Sequence, residues 1–358
     1  MPAVPARLRR ETGAALLAGV IRDYPLSYYM TLAYARLAEK DRARADATLQ
    51  EAILREPTHE APVAVSPVFA SERFRRAVLL SEQGDWKLVR AELDHLGVST
   101  GSAPPEIVWA SAFLLAKAGA PAHSHRVMRA FASAALGAIA TSAGANGSSP
   151  DKASTAIVDW FDHYPIGPWR SGWELAYPRP FASIVASEAA RSQVPEALAF
   201  AIMREESAFE PGVVSGAGAV GLMQLIVPTA KRMAKPLGLP WNAHALTRPE
   251  INVALGCRYL AALRAKFQDN VLLAIPGYNA GGGAPQKWLQ SRPTEDFDLW
   301  VERIPYEETR LYTKRVITSL AAYEFLYAPE RPSEALRTPL PASPSLRSVV
   351  ASTSPNEG

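Results

Sequence analysis

A single cysteine, Cys257, stands in a chain of 358 residues, which excludes an intramolecular disulfide and any zinc site built on cysteine pairs. Charge of one sign is equally scarce. The 38 Lys and Arg against 35 Asp and Glu leave a formal charge of +3, too little for the electrostatic footprint of a dedicated nucleic-acid binder. Long apolar runs are missing too. The longest, such as Ala14 to Ile21 with Gly19 inside it, fall far short of the ~20 residues of a membrane-spanning helix, so no span is expected. Arg7, Arg9 and Arg10 ahead of that run would suit an export signal, but Arg22 and Asp23 follow it without a small-residue cleavage site. The run is read as an ordinary helix.

What is present is enough apolar material for sizeable cores. At 48% apolar residues a wholly disordered chain is excluded, and the length suits two domains of ~100 to 200 residues better than one. From Glu11 to about Ala135 the pattern is that of short amphipathic helices, for example Tyr28, Leu32, Ala35 and Leu37, then Ala47, Leu49, Ala52 and Ile53. Leu79 to Leu96, with a turn at Gly84 and Asp85, and Ile107 to Ala118 continue the series. The pattern predicts an α-superhelical, solenoid-like region over residues 1–163, with a Gly/Ser-rich loop over 141–154.

Tyr164 to Pro180 carries four prolines among Tyr164, Trp169, Trp173 and Tyr177. Prolines remove backbone donors while aromatics favour burial, so residues 164–180 are expected to be an extended linker pinned against a neighbouring surface, and the domain boundary is placed there. Residues 181–327 are again helical but richer in loop motifs. Residues 328–358 hold six prolines and six serines, the composition of a disordered tail.

Some patterns resemble sites without their context. Gly216, Gly218 and Gly221 match the dinucleotide fingerprint, but a helix precedes them and no acidic residue follows about 20 positions on. His123 and His125 lie in a helical region without a third ligand nearby and read as surface histidines. Neither Ser207 nor Ser215 sits in a nucleophile elbow.

A carboxylate pattern is more telling. Pro195 and Glu196 suit the start of a helix, in which Ala199, Ile202, Met203 and Glu206 fall at i, i+3, i+4 and i+7. Glu206 is thereby put among hydrocarbon near the negative end of the helix dipole, and both effects favour its protonated form, as a general acid near neutral pH requires. Glu205 extends an almost equal stripe through Leu198, Ala201 and Ile202, so the pattern alone leaves two candidates.

Four strings decide between them by resemblance. Arg204-Glu205-Glu206-Ser207-Ala208-Phe209, Gly218-Ala219-Val220-Gly221-Leu222-Met223-Gln224, Gly277-Tyr278-Asn279-Ala280-Gly281, and Glu302-Arg303-Ile304-Pro305-Tyr306-Glu307-Glu308-Thr309-Arg310-Leu311-Tyr312 resemble, in order and spacing, the motifs of soluble lytic murein transglycosylases. The resemblance covers about Phe181 to Tyr327, and Asp23 to Tyr29 resembles part of that family's helical superstructure. It implies an all-α protein whose 181–327 region is a goose-type-lysozyme-like catalytic domain. It also implies cleavage of the β-1,4 bond between N-acetylmuramic acid and N-acetylglucosamine with 1,6-anhydro ends, and no cofactor or metal.

The family's acid is the Glu before Ser, which maps to Glu206. Ser207, Met223, Gln224, Tyr278, Asn279, Glu302 and Tyr312 are the implied substrate-binding residues. In that role Met223 and Gln224 would form an apolar and a hydrogen-bonding wall, and Tyr278 would orient or polarise Glu206. The implied partner is the peptidoglycan strand and the implied location the periplasm, although no signal sequence is recognised. Pro276 and Gly277 depart from the family pattern and suggest a bent approach to Tyr278. Glu205, where glutamine is common, adds a like charge beside the acid. No second carboxylate can be placed near Glu206 from the pattern. The rival readings are a muramidase that admits water and a non-catalytic peptidoglycan-binding scaffold.

Overall fold

The structure, a computed structural model, describes residues 6–57, 66–130, 159–237, 243–292 and 296–327; the expected 141–154 loop and 328–358 tail lie outside them. The all-α class holds: the described residues form helices joined by loops and two isolated bridges, with no strand among them. In chain order the α-helices are α1 (Ala6–Asp23), α2 (Tyr28–Lys40), α3 (Arg42–Leu54), α4 (Glu72–Glu82), α5 (Trp86–Asp94), α6 (Pro105–Lys117) and α7 (Arg170–Ala176). They continue with α8 (Ala182–Arg191), α9 (Glu196–Ser207), α10 (Val227–Ala234), α11 (Pro249–Lys266), α12 (Val271–Ala280), α13 (Gly283–Ser291), α14 (Phe297–Glu302) and α15 (Glu307–Tyr327). A further helical stretch covers residues 121–130.

The chain divides into two compact units, Arg55–Pro180 and the combination of Met1–Leu54 with Phe181–Gly358. This differs from the expected single region over 1–163, because α1 to α3 share a unit with the later helices. In the 55–180 unit, Ala77, Val89, Leu93, Leu114, Leu115 and Ala118 from α4, α5 and the end of α6 form one core cluster. Ser71 and Asp85 cap α4 and α5 by accepting from the N–H groups of Phe74 and Leu88.

Two expectations are corrected in this unit. The 164–180 stretch is not an extended linker: a 3-10 turn at Gly167–Trp169 leads into α7. Pro168 sits at the start of that turn, where its missing donor costs nothing. The aromatics are buried as expected. His163 stacks on Trp169 at 3.8 Å, the Trp173 indole donates to the His163 carbonyl at 2.9 Å, and Glu56 accepts from the Tyr164 N–H at 2.7 Å. The histidines are not surface groups either. His125 is buried, and His123 packs its ring on Trp86 at 4.0 Å.

In the other unit α15 is the central helix. Val316, Ile317, Leu320, Ala321, Ala322, Phe325 and Leu326 are buried around its circumference, as expected for a helix enclosed by others. It packs on α9, α12 and α2, and Tyr323 stacks on Phe200 of α9 at 5.5 Å. The early helices are joined to this body by charge. Arg36 on α2 donates to both Asp298 oxygens on α14, at 2.6 and 3.1 Å. Lys314 on α15 donates to Glu302 at 2.7 Å and to the Tyr29 hydroxyl at 3.1 Å.

Burial would raise the Asp298 carboxyl, but the hydrogen bonds and charge of Arg36 outweigh it and hold the pKa below the ordinary carboxylate value. A depressed pKa gives stability that is present above the unfolded value of about 4 and lost as pH falls through the folded value. Asp298→Asn is therefore expected to cost about 1 kcal/mol at pH 7. Thermal melts of mutant and parent should converge as the pH drops below the folded value. An equal gap at both pH values would show that the pair acts through packing alone.

Candidate active site

The site begins where α9 ends. Leu198, Ala199, Ile202 and Met203 are buried, which draws the last turn with Glu206 into the body. After Ser207 the chain leaves the helix through Ala208 and Phe209, at φ 47° and 63°. Two left-handed non-glycine residues in sequence cost about 1 kcal/mol or more each. Phe209 is fully buried, and the Ser207 hydroxyl reaches the Leu222 carbonyl at 2.8 Å and the Met203 carbonyl at 3.1 Å. Both contacts help offset that strain.

The loop from Val213 to Leu225 is held from below by Asn252 of α11. Its amide oxygen accepts from the Met223 N–H at 2.7 Å, and its NH2 donates to the Val220 and Leu246 carbonyls, both at 2.9 Å. Gly221 lies directly over this amide. It has φ 84°, and a Cβ there would stand 2.3 Å from Asn252 Nδ2, so only glycine fits. Met223 is fully buried and covers the bare backbone of Gly256, where a Cβ would come within 2.2 Å of its sulfur.

Above the loop lies a cavity of about 400 Å³, lined by Glu205, Glu206, Gln224, Tyr259, Tyr278, Asn279, Glu308, Tyr312 and Arg315 among others. Burial is the main cause that pushes the Glu206 carboxyl up to about 7. The Tyr312 hydroxyl opposes it, the charges of Glu205 and Glu308 reinforce it, and Arg315 opposes it. Tyr312 Oη is buried without a fully formed hydrogen bond, so it faces the carboxylate at less than ideal geometry. Tyr278 donates to the Met223 carbonyl at 2.8 Å. Its single proton is committed there, and it can offer Glu206 only a lone pair.

Glu205 is differently placed. Its Oε1 accepts from Ser319 at 2.9 Å and from Arg204, and its Oε2 accepts from Arg315 at 3.2 Å. Both oxygens are engaged and the side chain is almost fully buried.

The structure brings together Glu206, Gln224, Tyr278, Asn279 and Tyr312. Gln224 donates to the Gly221 and Val213 carbonyls at 2.9 and 3.1 Å, and Asn279 accepts from the Thr309 hydroxyl at 2.6 Å. Three expected residues do not line the cavity. Ser207 ties the helix end to the loop, Met223 is packed beneath the loop instead of forming a wall, and Glu302 holds Lys314 and Tyr29.

Pro276 does not end the helix before Tyr278, since α12 runs through it to Ala280. Glu308, Arg315, Tyr259 and Thr229 line the cavity but were not among the expected residues. A signal for two of them existed: Glu308, Tyr312 and Arg315 stand at i, i+4 and i+7 on one helix face. Glu308 is a further carboxylate on the cavity wall, which the sequence pattern could not place. A larger groove of about 860 Å³, lined by Arg191, Arg232 and Arg258 among others, shares no residue with this cavity.

Replacing the Asn252 amide by hydrocarbon would strand the Met223 N–H and the Leu246 carbonyl in a dry interior, at about 1–3 kcal/mol each, while the Val220 carbonyl would keep the Leu225 N–H at 3.1 Å. Asn252→Leu is expected to lower unfolding free energy by about 2 kcal/mol or more in urea titrations. A loss below about 1 kcal/mol would show that the loop repairs these bonds without the amide.

Comparison with known proteins agrees with the motif reading. The family described as Transglycosylase SLT domain matches residues 183–301. The soluble lytic murein transglycosylase of Escherichia coli K12 is 34% identical over 155 residues, covering 42% of this chain and 24% of that protein. A putative soluble lytic murein transglycosylase of Haemophilus influenzae is 35% identical over 155 residues, 43% of this chain and 26% of its own. The chain thus spans about a quarter of the length of these relatives. Among solved structures, an inactive mutant of the lytic transglycosylase Slt from Pseudomonas aeruginosa aligns with TM-score 0.55 at 23% identity, over 89% of this chain and 48% of that one. At that identity the likeness concerns the fold alone. Residues 183–301 thus form a region similar to the Transglycosylase SLT domain, the part of the chain that the soluble lytic murein transglycosylases share.

Proposed function

We propose that the protein is a peptidoglycan lytic transglycosylase, acting in the periplasm on the β-1,4 bond between N-acetylmuramic acid and N-acetylglucosamine, with Glu206 as its acid and base. The observation that carries this reading is the buried Glu206 carboxyl in an open cavity, pushed up to about 7. Near neutral pH it holds a proton for the departing glycosidic oxygen. Such cleavage passes through an oxocarbenium-like centre, which the acetamido group of the muramoyl residue can stabilise from within the substrate. The resulting Glu206 carboxylate then takes the proton of the muramoyl 6-hydroxyl, whose oxygen closes the 1,6-anhydro ring. An attacking oxygen in the same sugar has a large proximity advantage over water.

The surrounding groups fit these steps. Burial and the charges of Glu205 and Glu308 favour the protonated acid, and Tyr312 favours the carboxylate that follows. Asn279, with its oxygen occupied by Thr309, keeps its NH2 for a sugar acetamido or hydroxyl oxygen.

One observation favours a second reading. Glu308 is an exposed carboxylate on the cavity wall and is of the type that activates water in a muramidase. Mass spectrometry of muropeptides released from purified sacculi separates the two. Transglycosylase products are lighter by one water and have no reducing end. A digest dominated by reducing ends would transfer the assignment to hydrolysis.

Glu206→Gln keeps shape but cannot donate to a leaving group, so activity is expected to fall at least ~100-fold with glycan binding retained. The raised pKa also fixes the sign of a stability effect. The contribution of Glu206 is fully present below its unfolded value and is lost as pH rises through the folded value of about 7. The mutant should therefore match the parent at pH 4 and exceed it at pH 8 by about 1 to 3 kcal/mol. An inactive mutant without that gain would show that Glu206 is solvated.

A further inference from the structure

Arg315 has no place in the steps above, yet it lines the cavity with Glu206. Its Nε donates to Glu205 Oε2 at 3.2 Å. Glu205 is itself fixed, with side-chain exposure of 1%, by Ser319 at 2.9 Å and by Arg204. Bound along one edge, the guanidinium loses the freedom that makes a surface arginine a poor anchor. Its side chain nevertheless remains 48% exposed, which leaves the Nη donors for the cavity. Arg315 is the only cationic side chain among the described residues lining it, facing a wall that otherwise offers Glu308, tyrosine rings and amides. A pre-aimed guanidinium fork suits one ligand class above others, a planar carboxylate bound through two parallel N–H bonds.

We propose that Arg315 is a specificity-determining residue that binds a carboxylate carried on the 3-O-lactyl arm of the muramoyl residue, with Glu205 as the positioning residue that aims it. This rests on the reading of the cavity as a glycan site and names the feature by which it would tell muramoyl from glucosaminyl units, since only the former carries that arm. The carboxylate has two possible sources, the lactyl group itself in glycan stripped of peptide or the first free carboxylate of an attached stem peptide. Both present the same chemistry to the guanidinium.

The test uses the full chain and two probe pairs: a muramoyl-glucosaminyl tetrasaccharide with free lactyl carboxylates or with those groups as neutral carboxamides, and the peptide-bearing glycan with free or with amidated carboxylates. Calorimetric binding in the Glu206→Gln background is measured beside cleavage by the parent. The parent site is expected to favour a carboxylate over its amide about tenfold, with the difference in KM and not in kcat. The probe pair that shows it identifies the source.

Arg315→Gln should abolish the preference, and Arg315→Lys should keep part of it. Comparing each carboxylate with its own amide cancels any effect of Arg315 on the protonation of Glu206. A preference that survives in Arg315→Gln overturns the proposal, as does its absence from both probe pairs with Arg315 in place. If Arg315→Gln does not fold, the salt response with Arg315 intact decides: the preference must shrink as ionic strength rises. Should none of the glycans be cleaved while the binding preference stands, the proposed activity fails and the carboxylate anchor remains.

Discussion

The buried amide of Asn252 is the contact on which the site depends. Three backbone groups, on Val220, Met223 and Leu246, bond to it, and of these the Val220 carbonyl alone also accepts from a backbone N–H, that of Leu225. The amide holds the N–H of Met223, whose carbonyl, in the next peptide, accepts from Tyr278. The anchor of the Tyr278 hydroxyl thus stands next to a peptide held by an asparagine on a different helix. Strain accumulates around the same place. Ala208, Phe209 and Gln224 all have positive φ, and such cost persists only where the surroundings over-determine the backbone. Here the Ser207 to Leu222 bond, the burial of Phe209 and the Asn252 amide supply that determination.

Adjacent glutamates on one helix have been given opposite environments. Glu205 points to a pocket with two guanidinium groups and a hydroxyl, whereas Glu206 points to hydrocarbon, two tyrosines and the like charges of Glu205 and Glu308. One helical step of 100° separates a side chain that needs its charge from one that is pressed to lose it. A buried carboxyl held near pH 7 is a cost to folding that a neutral side chain would avoid. Its presence in an open cavity is easier to explain by chemistry than by structure.

The legibility of the sequence followed the same physics. The helical stripe ending in Glu206 could be read because amphipathic spacing reports burial directly, and burial is the main cause of its shifted pKa. Ser207, Met223 and Glu302 could not be assigned correctly, because a motif marks residues fixed by the fold whether they face a ligand or a neighbouring backbone. Ser207 and Met223 serve the loop, and Glu302 serves Tyr29 and Lys314. The 164–180 stretch was misread for a related reason. Proline at the first turn of a helix and proline in an extended chain give the same composition, and only the contacts of Trp169, Trp173 and Glu56 separate them. The grouping of α1 to α3 with the later helices rests on long-range contacts, the packing of α2 on α15 and ion pairs such as Arg36 to Asp298, which leave no periodic trace.

Those ion pairs explain why the site needs more than the region matched by the family, residues 183–301. Glu308, Tyr312 and Arg315 form one wall of the cavity and all stand on α15, beyond the end of that match. The opposite side of the helix is turned to α2, where Lys314 lies over the rings of Tyr28 and Tyr29 at 5.4 and 5.3 Å and pairs with Glu302. The first turns of α15 are thus gripped on one face by the early helices while the other face meets the cavity. A 60° rotation about its axis would carry Tyr312 away from Glu206 and the Arg315 guanidinium away from Glu205, an order-of-magnitude figure for about half the angular step between neighbouring residues. The early helices therefore contribute no residue to the cavity, yet they hold in register the helix that completes it.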